Sequence, residues 1–93
     1  MATARARHIL VDTEQTATDL KTRIEGGEDF AVVAKEYSSC PSGQRGGDLG
    51  EFRPGQMVKE FDEAVFTSEL GSVLGPVQTQ FGFHLIEVTS RTN

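Results

Sequence analysis

The stretch Gly75-Pro76-Val77-Gln78-Thr79-Gln80-Phe81-Gly82-Phe83-His84-Leu85-Ile86-Glu87-Val88-Thr89 ends in the alternation of a β-strand. From Phe83 to Thr89, the side chains Phe83, Leu85 and Glu87 fall on one face and His84, Ile86 and Val88 on the other. Gly71, Gly75 and Pro76 mark turns around a brief strand at Val77 to Thr79. At the other end of the chain Arg5 to Val11 reads the same way, with His8 and Leu10 on one face and Arg7, Ile9 and Val11 on the other.

Between these strands the period changes to that of a helix. Asp12 is the expected N-cap of a helix to about Glu25, with Gln15 three residues on as in a capping box. Ala17, Leu20 and Ile24 form its apolar stripe, and Gly26-Gly27 ends it, since glycine takes the left-handed cap without steric cost. A second helix starts near Glu28-Asp29, whose charges suit a helix N-terminus. Phe30, Val33, Ala34 and Tyr37 give it the strongest helical repeat in the chain. Ser38 to Gly47 is too rich in Gly, Ser and Pro for a long regular element. A short strand, Asp48 to Phe52, follows, then a turn at Arg53-Pro54-Gly55 and a third helix from about Val58 to Phe66, striped by Val58, Phe61 and Val65. Helices clustered between the outer strands predict an antiparallel or mixed α+β sheet rather than repeated βαβ units. The whole of 1–93 reads as one domain, with no repeat and no linker.

Composition narrows the function. The chain has 93 residues and a formal charge of −5, which argues against a general affinity for nucleic acid. Arg45-Gly46-Gly47 resembles one unit of an arginine-glycine tract but reads as a turn. One cysteine and two distant histidines lack the short spacings of zinc sites, so neither a metal nor another cofactor is expected. No stretch approaches the roughly 18 apolar residues of a membrane span, and no apolar run follows the first arginines. With a single cysteine unable to form an internal disulfide, these features point to a cytoplasmic protein.

Three groups could carry chemistry. His8 and His84 lie near the middle of the first and last strands, where they could pair through ring nitrogens or be ordinary core histidines. Cys40, at the mouth of the glycine-rich loop, could be a nucleophile with a histidine base or a small buried hydrophobe. Met57 and Phe61 share a helical face, with Leu49 in the preceding strand; they could line a pocket sized for a ring, or be core.

Taken together, several segments resemble the parvulin family of peptidyl-prolyl cis/trans isomerases. They are His8-Ile9-Leu10-Val11, Tyr37-Ser38-Ser39-Cys40, Gly46-Gly47-Asp48-Leu49-Gly50, Phe52-Arg53-Pro54-Gly55-Gln56-Met57-Val58 with Phe61, and Gly75 to Ile86. The match runs in order from about residue 5 to 90. The resemblance implies a four-stranded antiparallel sheet wrapped by about four helices, of the parvulin, FKBP-like kind. It implies that Leu49, Met57 and Phe61 form a proline pocket bordered by Phe81. It implies, too, that His8, His84, Cys40 and Thr79 form a polar network beneath the X-Pro bond of a peptide or protein client. No cofactor is implied, and a monomer is expected. Some parvulins bind a phosphorylated residue before proline with basic side chains just after the first strand. Here that segment is Asp12-Thr13-Glu14-Gln15-Thr16, whose acids would repel phosphate, so no phosphate requirement is expected. The early first strand leads us to expect the minimal stand-alone bacterial form.

Overall fold

The computed structural model describes residues 2–67 and 70–92; Met1 and Asn93, the ends of the expected 1–93 unit, lie outside the described residues. Strand β1 (Thr3–Val11) leads into helices α1 (Glu14–Glu25) and α2 (Phe30–Tyr37) and a 3₁₀-helix (Pro41–Arg45). Strand β2 (Asp48–Phe52), helix α3 (Lys59–Thr67), and strands β3 (Val73–Thr79) and β4 (Gly82–Thr92) complete the chain. The strands make one antiparallel sheet in the order β2-β1-β4-β3. Its two central strands are thus the ones that carry the histidines.

Alternation along those strands decides what each face packs against. Ile9, Val11 and Leu85 point to one side, where Ala17 and Leu20 of α1 and Phe30, Val33 and Ala34 of α2 bury them. Ala4, Ala6, Ile86 and Val88 point to the other, against Phe52 and the α3 residues Phe61 and Val65. Each fully buried Ile, Leu or Val stabilises the fold by roughly 1.5–3 kcal/mol, so a sheet covered on both faces holds this small domain together. Arg7 extends the first face: it pairs with Glu87 at 2.6 Å across the strands and lies 4.9 Å over the Phe30 ring.

Several local expectations are corrected. Thr13, not Asp12, caps α1, its hydroxyl accepting from the Thr16 amide at 3.2 Å. Gln15 turns outward to Asp19 instead of closing a capping box. At the end of α1 the positive φ falls on Gly27 (119°), while Gly26 stays right-handed (−81°). Tyr37 is exposed rather than core, because the Arg23 guanidinium stacks 5.2 Å above its ring and hydrogen-bonds its hydroxyl. Val58 lies just before α3, where its carbonyl accepts from the Asp62 amide. Three α-helices, not four, cover the sheet among the described residues. The remaining turn is the five-residue 3₁₀-helix, where Pro41 has no amide to donate and the left-handed Gly46 stops propagation. Strand β3 begins four residues earlier than expected, at Val73. It lies at the sheet edge, and its register shifts between Leu74 and Val77, so Gly75 and Pro76 fit inside the strand.

Candidate active site

Strand register brings the histidines together. Across β1 and β4, His8 stands opposite Ile86 and Leu10 opposite His84. His8 and His84 are therefore diagonal neighbours on the α3 face, close enough for ring contact. Their rings stack at 5.1 Å between centroids, and their Nδ1 atoms lie 3.0 Å apart.

The loop after α2 then carries Cys40 to the same place. The Ser39 amide donates to the Leu10 carbonyl at 2.7 Å, and Ser38 Oγ accepts from the amides of Leu10 and Cys40. Past the 3₁₀-helix, the Gly47 carbonyl accepts from the His8 amide at 3.0 Å. Residues 38–47 thus clip onto β1 at His8 and at Leu10. Gly47 permits this approach, because its φ is +86° and a Cβ there would lie 2.3 Å from the His8 carbonyl oxygen.

A continuous hydrogen-bonded chain results. Cys40 Sγ contacts Ser42 Oγ at 3.2 Å, Ser42 Oγ meets His8 Nε2 at 3.1 Å, and His84 Nε2 meets Thr79 Oγ1 at 2.8 Å. The backbone amide of Phe81 donates to Thr79 Oγ1 at 3.1 Å. One direction of donation satisfies every member. Phe81 N–H gives to Thr79, Thr79 O–H to His84 Nε2, and His84 Nδ1–H to His8 Nδ1; His8 Nε2–H gives to Ser42, and Ser42 O–H to Cys40. In the opposite direction Thr79 Oγ1 accepts twice, and its own hydrogen has no acceptor among the described residues. Both histidines are neutral in this arrangement. Burial pushes His8 down to about 4, with the neighbouring His84 acting in the same sense, and burial also lowers His84.

Above the pair lies an apolar cavity of about 560 Å³. Leu49, Met57, Phe61 and Phe81 line it, and His8, His84 and Cys40 reach it. Phe61 joins wall to network: its ring meets both histidines edge-on, at 5.7 Å and 80° from His8 and 5.7 Å and 84° from His84. Phe61 is buried, Leu49 and Met57 are half-buried, and Phe81 stands 62% exposed on the rim.

The structure brings together seven of the eight candidate residues around this cavity; Thr79 supports His84 from behind and does not line it. Sequence reading missed Ser42, the link between Cys40 and His8. Nothing in a Gly-Ser-Pro loop distinguishes it from Ser38 and Ser39, which serve the backbone instead. It also missed Leu10, Ser39, Pro41, Gln56 and Val58 in the lining. Leu10 and Val58 had a signal, Leu10 as the residue two along from His8 on the same face and Val58 on one stripe with Phe61. Among the described residues no group of three or more His, Cys, Asp or Glu could hold a metal ion.

The Rotamase family model, described as the PPIC-type PPIASE domain, matches residues 4–90. This chain belongs to the PPIC-type parvulin family of peptidyl-prolyl isomerases. The parvulin domain is 52% identical over 88 residues to the foldase protein PrsA of a Geobacillus strain, covering 94% of this chain and 32% of that protein. It spans about a third of the length of the curated relatives it matches. Among solved structures, PrsA of Bacillus anthracis superposes with a TM-score of 0.96 at 35% identity, covering 99% of this chain and 43% of that one. NmPin, the parvulin of Nitrosopumilus maritimus, superposes with a TM-score of 0.87 at 34% identity, covering 97% of this chain and 98% of that one. Parvulin is thus the tighter description of a fold that the FKBP-like label covers only loosely.

Proposed function

We propose that this domain accelerates cis/trans rotation of X-Pro bonds in peptides and protein clients, without a covalent intermediate and without cofactor. One observation carries the reading: an apolar cavity floored by a neutral histidine pair, in a chain of the parvulin family. Rotation about an amide is slow because resonance holds it planar, with a barrier of about 18–20 kcal/mol. Lowering that barrier by roughly 5–7 kcal/mol supplies four to five orders of magnitude. Binding the twisted amide better than either planar form is sufficient.

The residues suit that task. Leu49, Met57 and Phe61 clamp the proline ring and strip water from the amide, which disfavours the charge-separated resonance form that opposes rotation. Phe81 borders the ring from the rim. The carbonyl of the preceding residue swings over His8, His84 and Cys40, while Thr79 and Ser42 hold the imidazoles in place. Cys40 acts as a polarisable neighbour rather than a nucleophile. Its sulfur reaches His8 only through Ser42, and no hydrogen bond joins it directly to either histidine among the described residues.

Acids at Asp12 and Glu14 favour a reaction that needs no phosphate before proline. A monomer that binds neither nucleic acid nor membrane completes the reading. The cytoplasm is the location proposed from composition. Against it stand two SurA-like chaperones of Campylobacter jejuni, PEB4 and the periplasmic Cj1289, a pair that includes a solved relative of this chain, so cell fractionation decides between cytoplasm and envelope. The chaperone character of that pair also favours a second reading, a module that grips proline-containing segments without turning them over.

Protease-coupled or NMR exchange measurements on a panel of X-Pro peptides test the reading. Acceleration by catalytic amounts of protein is expected. Equal rates with and without protein, alongside saturable peptide binding, would leave only the gripping module. Faster turnover of phosphoserine-proline than of alanine-proline would overturn the phosphate claim.

A further inference from the structure

Beside the proline pocket lies a second cavity of about 520 Å³, lined by Lys35, Ser38, Ser39, Cys40, Pro41, Gly43 and Gln44. Three of those residues, Ser39, Cys40 and Pro41, also line the apolar cavity. The Ser39-Cys40-Pro41 segment is thus a wall common to both cavities. Their chemistry differs sharply. The first is walled by Leu, Met, Val and Phe side chains; the second offers hydroxyls, the Gln44 amide and one ammonium group. No acidic residue lines it. Lys35 is exposed in the last turn of α2, with no hydrogen bond or ion pair among the described residues.

We propose that the second cavity is a substrate subsite, in which Lys35 selects an acidic side chain one or two residues before the proline. The inference rests on the isomerase reading, which puts the proline ring against Leu49, Met57 and Phe61 and the preceding carbonyl over Cys40. A peptide laid that way continues across Cys40 into the second cavity. There the local positive charge of Lys35 stands out against a chain whose net charge is −5, and the seryl and amide groups supply hydrogen bonds to a carboxylate. Carboxylate and phosphate share this chemistry. The smaller charge is assigned here, since one ammonium group lacks the paired donors that hold a phosphate well.

The test compares kcat/KM for X-Pro peptides carrying Glu or Gln at the first and second positions before proline, with a phosphoserine peptide as a third arm. A solvent-exposed ion pair predicts a Glu-over-Gln preference of about 2- to 5-fold at one of the two positions. That ratio is expected to fall to 1 in Lys35→Gln, to invert in Lys35→Glu and to return in Lys35→Arg, each with a native circular dichroism spectrum. Equal turnover of Glu and Gln peptides by the unaltered protein overturns the subsite and leaves the isomerase reading standing. So does a preference that survives Lys35→Gln. A phosphoserine peptide that exceeds the Glu peptide reassigns the subsite to phosphate and overturns the carboxylate claim. Failure to turn over any peptide overturns the isomerase reading, and the subsite with it.

Discussion

Nδ1 of His8 and Nδ1 of His84 lie 3.0 Å apart, buried between the α3 helix and the two central strands. Two ring nitrogens at that distance can share one hydrogen but cannot both carry one, so a proton added at His8 Nδ1 breaks the contact. Burial lowers the affinity of both rings for that proton, His8 to about 4. The unfolded chain, whose histidines titrate near 6.5, therefore binds more protons between those values, and stability rises with pH across the window. The contribution is present in full above about 6.5 and is lost as pH falls toward 4. For His8 alone it amounts to about 3 kcal/mol, and His84 acts in the same direction. Urea unfolding between pH 7.5 and 4.5 measures this, and the slope should flatten in a variant with both histidines replaced by Asn. An NMR titration placing the His8 ring near 6.5 in the folded protein would contradict it.

Gly47 gives a prediction of a different kind. Gly47→Ala places a methyl 2.3 Å from the His8 carbonyl and forces a side chain into φ +86°. Gly50 has a similar φ of +72°, but nothing lies within 4 Å of a Cβ there. The Gly50→Ala change should cost about 1–2 kcal/mol, the ordinary penalty of the left-handed region. Gly47→Ala should cost about 3 kcal/mol or more, because His8 must also retreat. Thermal melts of the two variants compare them directly. Equal melting temperatures would show that the clip of residues 38–47 onto β1 is not what fixes His8.

Much of this was legible because it is periodic. The two central strands announced themselves through alternation, which put His8 on the face away from Ile9 and His84 on the face away from Leu85; that Ile9 and Leu85 lie under α1 and α2, with the histidines on the α3 side, came from the fold. Helices α1 and α2 followed from their stripes. Tyr37 shows the limit of that reasoning: its spacing is that of a core residue, yet a single Arg23 guanidinium satisfies its ring and hydroxyl at the surface. Non-periodic contacts were invisible. Ser42 reaches His8 through a loop whose course depends on Ser38 and Ser39 bonding to Leu10, across 28 or more residues of chain. The first half of strand β3 is hidden because Gly75-Pro76 signals a turn locally, and only an edge position with a register shift accommodates it within a strand. Composition and spacing left Leu49, Met57 and Phe61 as pocket or core alike, and the structure gives them both places: Phe61 belongs to the α3-side core with Leu49 and Met57 packed against it, and all three line the cavity.

Met57 and Phe61 should part company when each is truncated. Phe61 is 3% exposed and packs on Phe52 and both histidines, so Phe61→Ala should cost about 3–5 kcal/mol and lose activity with the fold. Met57 is half-buried, and Met57→Ala should cost only about 1–2 kcal/mol. Its kcat/KM on an X-Pro peptide should nevertheless fall about tenfold or more, the equivalent of about 1.4 kcal/mol at the transition state. Denaturant midpoints and exchange rates measured on the same samples separate the effects. Full activity in a folded Met57→Ala protein would remove that wall from the pocket.

Cys40 and Ser42 set the sharpest test of the non-covalent mechanism. Cys40→Ser keeps a group that accepts from Ser42, so the chain of donation from Thr79 through both histidines to Ser42 stays intact and kcat/KM should fall less than about tenfold. Ser42→Ala leaves the sulfur in place but removes the acceptor of buried His8 Nε2 at 3.1 Å. An unsatisfied buried donor costs about 1–3 kcal/mol, and the His8 ring is then free to change tautomer, which withdraws the acceptor from His84. The serine variant should therefore lose more stability and more activity than the cysteine variant. Were the sulfur a nucleophile, the order of the activities would reverse: Cys40→Ser would be inactive in a native fold, while Ser42→Ala kept its turnover.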